Sequence, residues 1–244
     1  MQLKNRLKSD RITVYCRCDE IGNHASLKMM WAQALVGSSP TSGTMSYYRT
    51  LPISNDANLK AYVIGLAIGD GNLSNPNGRA TKLRISCDTK YPLLIKRVAT
   101  SLQELLPENK VNTIQKKGNC IDVYVCSNHL ENLLGWKAKG GSKDLQKVSV
   151  PTWIQEKEEY KINCLRGLIE TDGAIYLDRG YRMVIFSSII PNLAEDVYNL
   201  INSLGFKSHL YKVPEKKSTH GYKYQVRLSK DVQKFLDIVQ PDKS

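Results

Sequence analysis

An internal repeat limits the chain to a fold made of two similar halves. Residues 62–73 read YVIGLAIGDGNL and residues 164–176 read CLRGLIETDGAIY, so each stretch is apolar and runs into Asp-Gly. An alternating segment follows each stretch, and then a proline that can open a helix, at Pro92 and at Pro191. Because the same features recur in the same order, the sequence predicts two copies of one structural unit.

The segments after each apolar stretch predict a mixture of helices and antiparallel strands. Leu83 and Ile85 alternate with polar neighbours, as in a strand with one buried side. Val98, Leu102 and Leu105 have the spacing of residues on one face of a helix. Each half therefore reads as helix, hairpin, helix, hairpin, helix, which is an α+β unit.

A proline-containing segment separates the two halves. Residues 148–153 read VSVPTW, and a helix cannot continue through Pro151. We therefore place a boundary near residue 150, with the first repeat at residues 45–150 and the second at residues 151–244. Residues 1–44 share nothing with either half, and we interpret them as an extension that is either disordered or non-native.

Each apolar stretch contains two small residues four positions apart: Gly65 and Gly69 in the first, Gly167 and Thr171 in the second. Small residues at this spacing let two helices approach closely, so we predict that these four form a helix interface. Such an interface brings Asp70 and Asp172 together at the negative ends of both helix dipoles, where two carboxylates repel. A divalent cation relieves this repulsion, because hard cations bind carboxylate and carbonyl oxygens.

The composition indicates the kind of partner. The 244 residues have a formal net charge of +12 and 41% hydrophobic residues, as in a globular protein that binds a polyanion such as nucleic acid. A cation held between two halves of a basic protein suggests phosphodiester hydrolysis. No apolar run reaches the roughly 18 residues that span a bilayer. We therefore expect no membrane partner, and a cytoplasmic location, or an organellar one if the gene lies in an organelle genome.

The stretches ending at Asp70 and Asp172 resemble the paired motifs of the LAGLIDADG homing endonucleases, in the single-chain form with two motifs. The resemblance implies two pseudo-symmetric αββαββα-like repeats, each with a saddle-shaped, mainly antiparallel sheet, joined through the motif helices. It implies a monomer that cuts both strands of a long, nearly asymmetric DNA site and leaves 3′ overhangs. Asp70 and Asp172 would be the catalytic acids that hold Mg²⁺ or Mn²⁺, assisted by the carbonyl groups of Gly69 and Thr171.

Polar residues of the predicted strands and turns are the candidate DNA contacts, because such side chains bind phosphates and base edges. They are Lys82, Arg84, Ser86, Lys116, Lys117, Arg182, Lys212, Lys223, Gln225 and Arg227. The family also places auxiliary polar groups beside its catalytic acids. The candidates for that role in this chain are Lys116, Lys117, Lys212 and Lys223.

Two other functions stay open for the same scaffold. Related proteins assist the splicing of group I introns, so one alternative is a maturase that binds intron RNA. The second alternative is a non-catalytic DNA-binding regulator. Intact acidic motifs favour cleavage but do not decide among the three functions.

Overall fold

The computed structural model describes residues 51–76, 78–215 and 221–243, which belong to one compact unit, Leu51–Ser244. The predicted extension, residues 1–44, lies outside the described residues, and the boundary near residue 150 stays a prediction. Within the described part, no helix is both long enough and apolar enough to cross a membrane.

The first half begins with the helix of the first motif and alternates helices with strand pairs. Its elements are α1 (Ala57–Asp70), β1 (Gly71–Ser74), β2 (Thr81–Asp88), α2 (Pro92–Leu105), β3 (Asn112–Gln115), β4 (Cys120–Ser127) and α3 (Leu130–Leu134). The side chain of Asp56 caps α1 by accepting hydrogen bonds from two backbone N–H groups of its first turn. Pro92 opens α2, where its missing N–H costs no helical hydrogen bond.

The second half repeats this order after a short 3₁₀ helix at Thr152–Gln155. Its elements are α4 (Glu158–Asp172), β5 (Gly173–Asp178), β6 (Tyr181–Ser188), α5 (Pro191–Ser203), β7 (Ser208–Pro214), β8 (Tyr222–Leu228) and α6 (Val232–Val239). Pro191 opens α5 just as Pro92 opens α2. The predicted α+β class and the two αββαββα repeats are confirmed.

Each half contains one four-stranded antiparallel sheet, with strand orders β1-β2-β4-β3 and β5-β6-β8-β7. The two sheets therefore have the same topology. In β2, Leu83 and Ile85 are fully buried, whereas Lys82 and Arg84 on the other side keep partial exposure. The sequence alternation thus gives each sheet an apolar side, packed against the helices, and a polar side.

The two motif helices, α1 and α4, pack against each other and form the central contact between the halves. A methyl group on Gly167 would lie 2.5 Å from the carbonyl oxygen of Tyr62, and one on Gly65 would overlap the carbonyl group of Cys164. Gly69 faces the side chain of Thr171 in the same contact. The four small residues therefore lie where the helix backbones are closest, which leaves room for nothing larger at the glycines.

Candidate active site

Asp70 and Asp172 are the last residues of α1 and α4. Gly71 and Gly173 follow them in an extended conformation, and each donates its backbone N–H to a carbonyl of the last helical turn. β1 and β5 begin at these glycines. Each carboxylate is therefore fixed at the junction between a buried helix and a sheet, at the same end of the helix pair.

The two carboxylates lie close together because the helix ends are in contact. A methyl group on Gly69 would lie 3.3 Å from Oδ2 of Asp172. Burial and the nearby charge of Asp70 raise the pKa of Asp172 to about 6. Loss of solvation at the helix end also raises the pKa of Asp70, although this residue keeps exposed surface. The site thus disfavours two negative charges in the absence of a cation.

Two lysines that the sequence analysis missed lie at these helix ends. Nζ of Lys143 donates hydrogen bonds to two carbonyl oxygens at the end of α1, at 2.7 and 2.5 Å. Nζ of Lys243 donates to two carbonyl oxygens at the end of α4, at 2.5 and 3.2 Å. The acceptors are Ile68 and Gly69 for Lys143, and Thr171 and Gly173 for Lys243. Both ammonium groups therefore neutralise the negative end of a helix dipole.

Each ammonium group acts most strongly on the aspartate of the other motif helix. Lys243 stabilises the charged form of Asp70 more than Lys143 does. Lys243 and Asp70 also line one cleft. For Asp172 the order is reversed, with Lys143 the stronger. Burial lowers the pKa of Lys143 to about 8 and lowers that of Lys243, while both aspartates oppose these shifts. This electrostatic order defines two crossed pairs, Asp70 with Lys243 and Asp172 with Lys143, although no direct ion pair joins either of them in the described part of the chain.

The lysines proposed from sequence as auxiliary groups lie elsewhere: Lys212 and Lys223 on strands β7 and β8, and Lys116 and Lys117 in the turn between β3 and β4. Lys116 forms an ion pair with Asp122 at 2.7 Å, and Lys223 forms one with Glu215 at 3.3 Å. Nζ of Lys212 lies 3.8 Å from the centre of the Tyr222 ring. Lys143 and Lys243 each follow the last helix of their half, α3 and α6. A comparison of the two repeats that extends beyond α3 and α6 is the one way in which the sequence indicates these two lysines.

The donors at the helix ends fit a hard divalent cation. Asp70 and Asp172 supply carboxylates, and Gly69 and Thr171 add carbonyl oxygens beside them. These carbonyls accept hydrogen bonds from the two lysines, so a cation would share or displace those contacts. Within residues 51–76, 78–215 and 221–243, no cluster of three or more His, Cys, Asp or Glu side chains forms a complete metal site. A cation here would therefore need oxygens from water or a phosphate as well.

The polar side of the first sheet holds four of the predicted DNA contacts: Lys82, Arg84, Ser86 and Lys116. Nζ of Lys82 lies 3.8 Å from the centre of the Tyr124 ring. Arg84 donates to Oδ1 of Asn72 at 3.0 Å, and Ser86 donates to Oδ1 of Asp122 at 2.7 Å. Asp122, which is 2% exposed, joins Ser86 and Lys116 in one polar cluster. This face presents charged and hydrogen-bonding groups in fixed positions.

The polar side of the second sheet holds three more predicted contacts, Lys223, Gln225 and Arg227. The strand register pairs Gln225 with Ser187, and the other register neighbours of these three residues are Ile185, His209, Tyr211 and Val213. Arg227 donates to Asp178 at 3.0 Å. This face is therefore less charged than the corresponding face of the first sheet, and the two halves would contact a ligand with different chemistry.

Arg182 and Lys212 lie on the opposite, helix-facing side of the second sheet. Arg182 shares its side with the buried Val184 and donates to Gln233 of α6 at 2.8 Å. Lys212 pairs with Tyr224 in the register, on the side of the buried Val226. The structure does not bring these two residues together with the other predicted DNA contacts. For Arg182 the reason is that residues 181–187 are apolar on both sides, which leaves the faces of this strand unassigned from sequence.

Two family matches cover both halves. The LAGLIDADG-like domain family matches residues 159–240, and the WhiA LAGLIDADG-like domain family matches residues 59–133. Together with the paired motif helices, these matches define the class of protein. The chain is a LAGLIDADG family protein with two motifs.

Solved structures share this fold at low sequence identity. Mesophilic variants of the homing endonuclease I-DmoI match at 21% identity and a TM-score of 0.57, covering 75% of this chain and 96% of that chain. A complex of I-DmoI with DNA and Mn matches at 20% identity and a TM-score of 0.56, with the same coverage. Full-length DUF199/WhiA from Thermatoga maritima matches at 12% identity and a TM-score of 0.53, over 79% of this chain and 58% of that chain.

One curated relative matches by sequence. The ATP-dependent DNA helicase Hel308 of Thermococcus kodakarensis is 26% identical over 154 residues, which is 62% of this chain. The chain spans only 13% of the length of that relative. The match therefore concerns a small segment of the helicase.

Proposed function

We propose that the chain is a site-specific DNA endonuclease of the homing type, which hydrolyses both strands of double-stranded DNA and leaves 3′ overhangs. The observation behind this proposal is the pairing of two carboxylates with two ammonium groups at the contacting ends of α1 and α4. Two similar but separate sets of groups suit two scissile phosphates, one on each strand. Because one chain supplies both sets, the proposed active form is a monomer.

The polar sides of the two sheets support DNA as the substrate. They present Lys82 and Arg84 from one half and Lys223 and Arg227 from the other, in a chain with a net charge of +12. Basic side chains supply the sequence-independent part of DNA affinity, and polar groups on the same faces can contact base edges. The similar I-DmoI structure is a complex with DNA. The chemical difference between the two faces favours a target with unlike half-sites.

The residues of this chain have distinct roles in the proposed reaction. Asp70 and Asp172 would hold Mg²⁺ or Mn²⁺, which when bound stabilises negative charge at the phosphate that is attacked. Lys143 and Lys243 would place their ammonium groups near that charge and offset the repulsion between the two aspartates. A pKa of about 8 keeps most Lys143 side chains protonated at neutral pH. Asp70 and Asp172 are fixed as the last residues of α1 and α4, and hydrogen bonds to the same helix ends hold Lys143 and Lys243 before DNA binds, which favours catalysis by preorganised electrostatics.

The test is cleavage of a supercoiled plasmid that contains the joined sequences flanking the reading frame. The wild type should linearise the plasmid with Mg²⁺ and leave it intact with EDTA. Asp70→Asn and Asp172→Asn should each leave the plasmid intact or only nick it, and the double variant should neither linearise nor nick it. Asp237→Asn is the matched control, because Asp237 is exposed on α6 and bonds only to Gln233 in the described structure.

Other outcomes would favour the alternative functions. Tight binding of the same DNA without cutting would support a non-catalytic regulator and contradict the endonuclease function. Accelerated splicing of a flanking group I intron, without DNA cleavage, would support an RNA maturase and contradict the endonuclease function.

A further inference from the structure

The residues two positions before the motif aspartates Asp70 and Asp172 differ in chemistry between the two motifs. In the first motif this residue is Ile68, an apolar side chain that is 1% exposed. In the second motif it is Glu170, which is also 1% exposed but charged. A buried carboxylate persists only where hydrogen bonds and opposite charge compensate its lost solvation. The partners of Glu170 therefore indicate why the chain keeps an acid in one half only.

Glu170 lies at the centre of a polar network that joins both halves. Its Oε2 accepts a hydrogen bond from the Tyr62 hydroxyl at 2.6 Å. Its Oε1 accepts from Arg97 and from the backbone N–H of Asp242, both at 2.9 Å. Tyr62 and Arg97 belong to α1 and α2 of the first half, whereas Asp242 follows α6 of the second. The network thus attaches residues 240–243 to the first half.

Arg97 adds two further contacts to the same segment. Its Nε pairs with Oδ2 of Asp242 at 2.8 Å, and its Nη1 donates to the carbonyl oxygen of Gln240 at 3.4 Å. Arg166 of α4 donates to the carbonyl oxygen of Val239, where α6 ends. Hydrogen bonds between the side chains of Arg166, Arg97 and Glu170 and backbone groups therefore hold residues 239–242 in place. The residue that follows them is Lys243, whose ammonium group bonds to the end of α4.

Lys143 is positioned by a different set of hydrogen bonds. Its segment folds on itself through Gln146, which bonds to the backbone of Lys137 and Gly141 at 2.8 to 3.0 Å. The backbone N–H of Val148 donates to the carbonyl oxygen of Lys143 at 3.0 Å. These contacts lie within one local segment, so they do not depend on Glu170.

We propose that Glu170 and Arg97 are positioning residues for Lys243, so that this network controls cleavage of one DNA strand and not of the other. The proposal rests on the proposed endonuclease function. Lysine has a long and flexible side chain, so fixing the backbone beside it reduces the conformational freedom lost when its ammonium group engages a phosphate. Arg97, which belongs to the first half, thereby positions the ammonium group of Lys243, which belongs to the second half.

The experiment compares Arg97→Gln, Asp242→Asn and Glu170→Gln with Lys243→Met, on a linear target duplex with each strand end-labelled in turn and on a supercoiled plasmid that contains the same site. The three network variants should slow the strand that Lys243→Met slows by roughly 10- to 100-fold, the range for loss of a supporting contact around a catalytic group. The other strand should be cut at nearly the wild-type rate, so nicked plasmid accumulates. Asp242→Asn covers the case in which the buried Glu170 variant fails to fold, because the Asp242 side chain is 22% exposed.

Hydrogen exchange of the backbone amides of Gln240, Asp242 and Lys243 in the DNA-free protein gives a second measurement that needs no cleavage. The network variants should exchange these amides faster, whereas Lys143→Met and the exposed control Asp237→Asn should leave them unchanged. Equal slowing of both strands, or wild-type exchange in the network variants, would overturn the positioning role. A wild-type protein that binds DNA but cuts neither strand would refute the endonuclease instead, and the exchange result would still decide whether Glu170 and Arg97 hold the segment.

Discussion

At the scale of single residues, the raised pKa of Asp172 links cation binding to pH. This carboxyl has a pKa of about 6, so it is largely protonated at pH 5 and ionised at pH 8. Protons and cations compete for the same oxygens, and the affinity for Mn²⁺ should therefore rise as the pH increases through about 6. Calorimetric titration of the DNA-free protein from pH 5 to 8 measures this step.

Asp172→Asn separates this residue from the other carboxylates. The variant should bind Mn²⁺ more weakly at pH 8 and lose most of the dependence near pH 6, whereas Asp237→Asn should behave as the wild type. An affinity that is equal at pH 5 and pH 8 in the wild type would contradict the assignment of Asp172 as a ligand.

The two kinds of charged residue at the site differ in how well sequence predicts them. Asp70 and Asp172 could be found because each ends a repeated apolar stretch, and helix ends are recognisable in sequence. Lys143 and Lys243 lie in irregular segments without periodicity, and they reach the site only because the chain folds back onto α1 and α4. Their role depends on tertiary contacts that no local pattern encodes.

At the scale of secondary-structure elements, the contact between α1 and α4 should not tolerate a larger residue at Gly65. Replacing glycine by alanine inside a helix usually stabilises it by about 1 kcal/mol. Here the new methyl group would meet the backbone carbonyl of Cys164, which cannot move as a flexible side chain does. We expect Gly65→Ala to lower the free energy of unfolding by about 1–3 kcal/mol, the usual cost of overpacking.

Urea unfolding of the cation-free protein measures this change. Glu104→Ala, an exposed substitution on α2, is the control and should shift the midpoint little. Stabilisation by Gly65→Ala, as in an isolated helix, would show that the two helices are not in the close contact described.

The two sides of each sheet predict a difference between residues of equal charge. Arg84 lies on the polar side of the first sheet, whereas Lys212 lies on the helix-facing side of the second. Arg84→Ala should weaken DNA binding by about 1–3 kcal/mol if it contacts a base, or reduce the salt dependence by about one charge if it contacts a phosphate. Lys212→Ala should change neither, which makes it the matched control.

Both quantities follow from adding each substitution to the Asp70→Asn variant and measuring its binding to target DNA, without divalent cations, at several salt concentrations. Equal losses in the two variants would mean that DNA is not bound by the polar sides. The sequence could predict the face of Arg84, because β2 alternates cleanly, but it could not do so for Arg182, whose strand is apolar on both sides.

At the scale of the whole molecule, neither half contains a self-sufficient centre. α1 and α4 each supply one carboxylate, and their contact brings the two together. The lysine bonded to α4 is the one that acts more on Asp70, and the lysine bonded to α1 acts more on Asp172. The repeat explains the symmetry of this arrangement, but the crossing arises only from the way the two halves are packed.

This crossing makes a prediction that concerns both strands of the substrate. If Asp70 and Lys243 serve one phosphate, then Asp70→Asn and Lys243→Met should impair cleavage of the same strand. Asp172→Asn and Lys143→Met should impair the opposite strand. Combining Lys243→Met with Asp70→Asn should add little on the shared strand, because groups that act as a unit are not additive, whereas Lys143→Met with Asp70→Asn should impair both strands. Strand-specific labelling in single-turnover assays resolves the four patterns, and pairing of Asp70 with Lys143 would refute the crossed assignment.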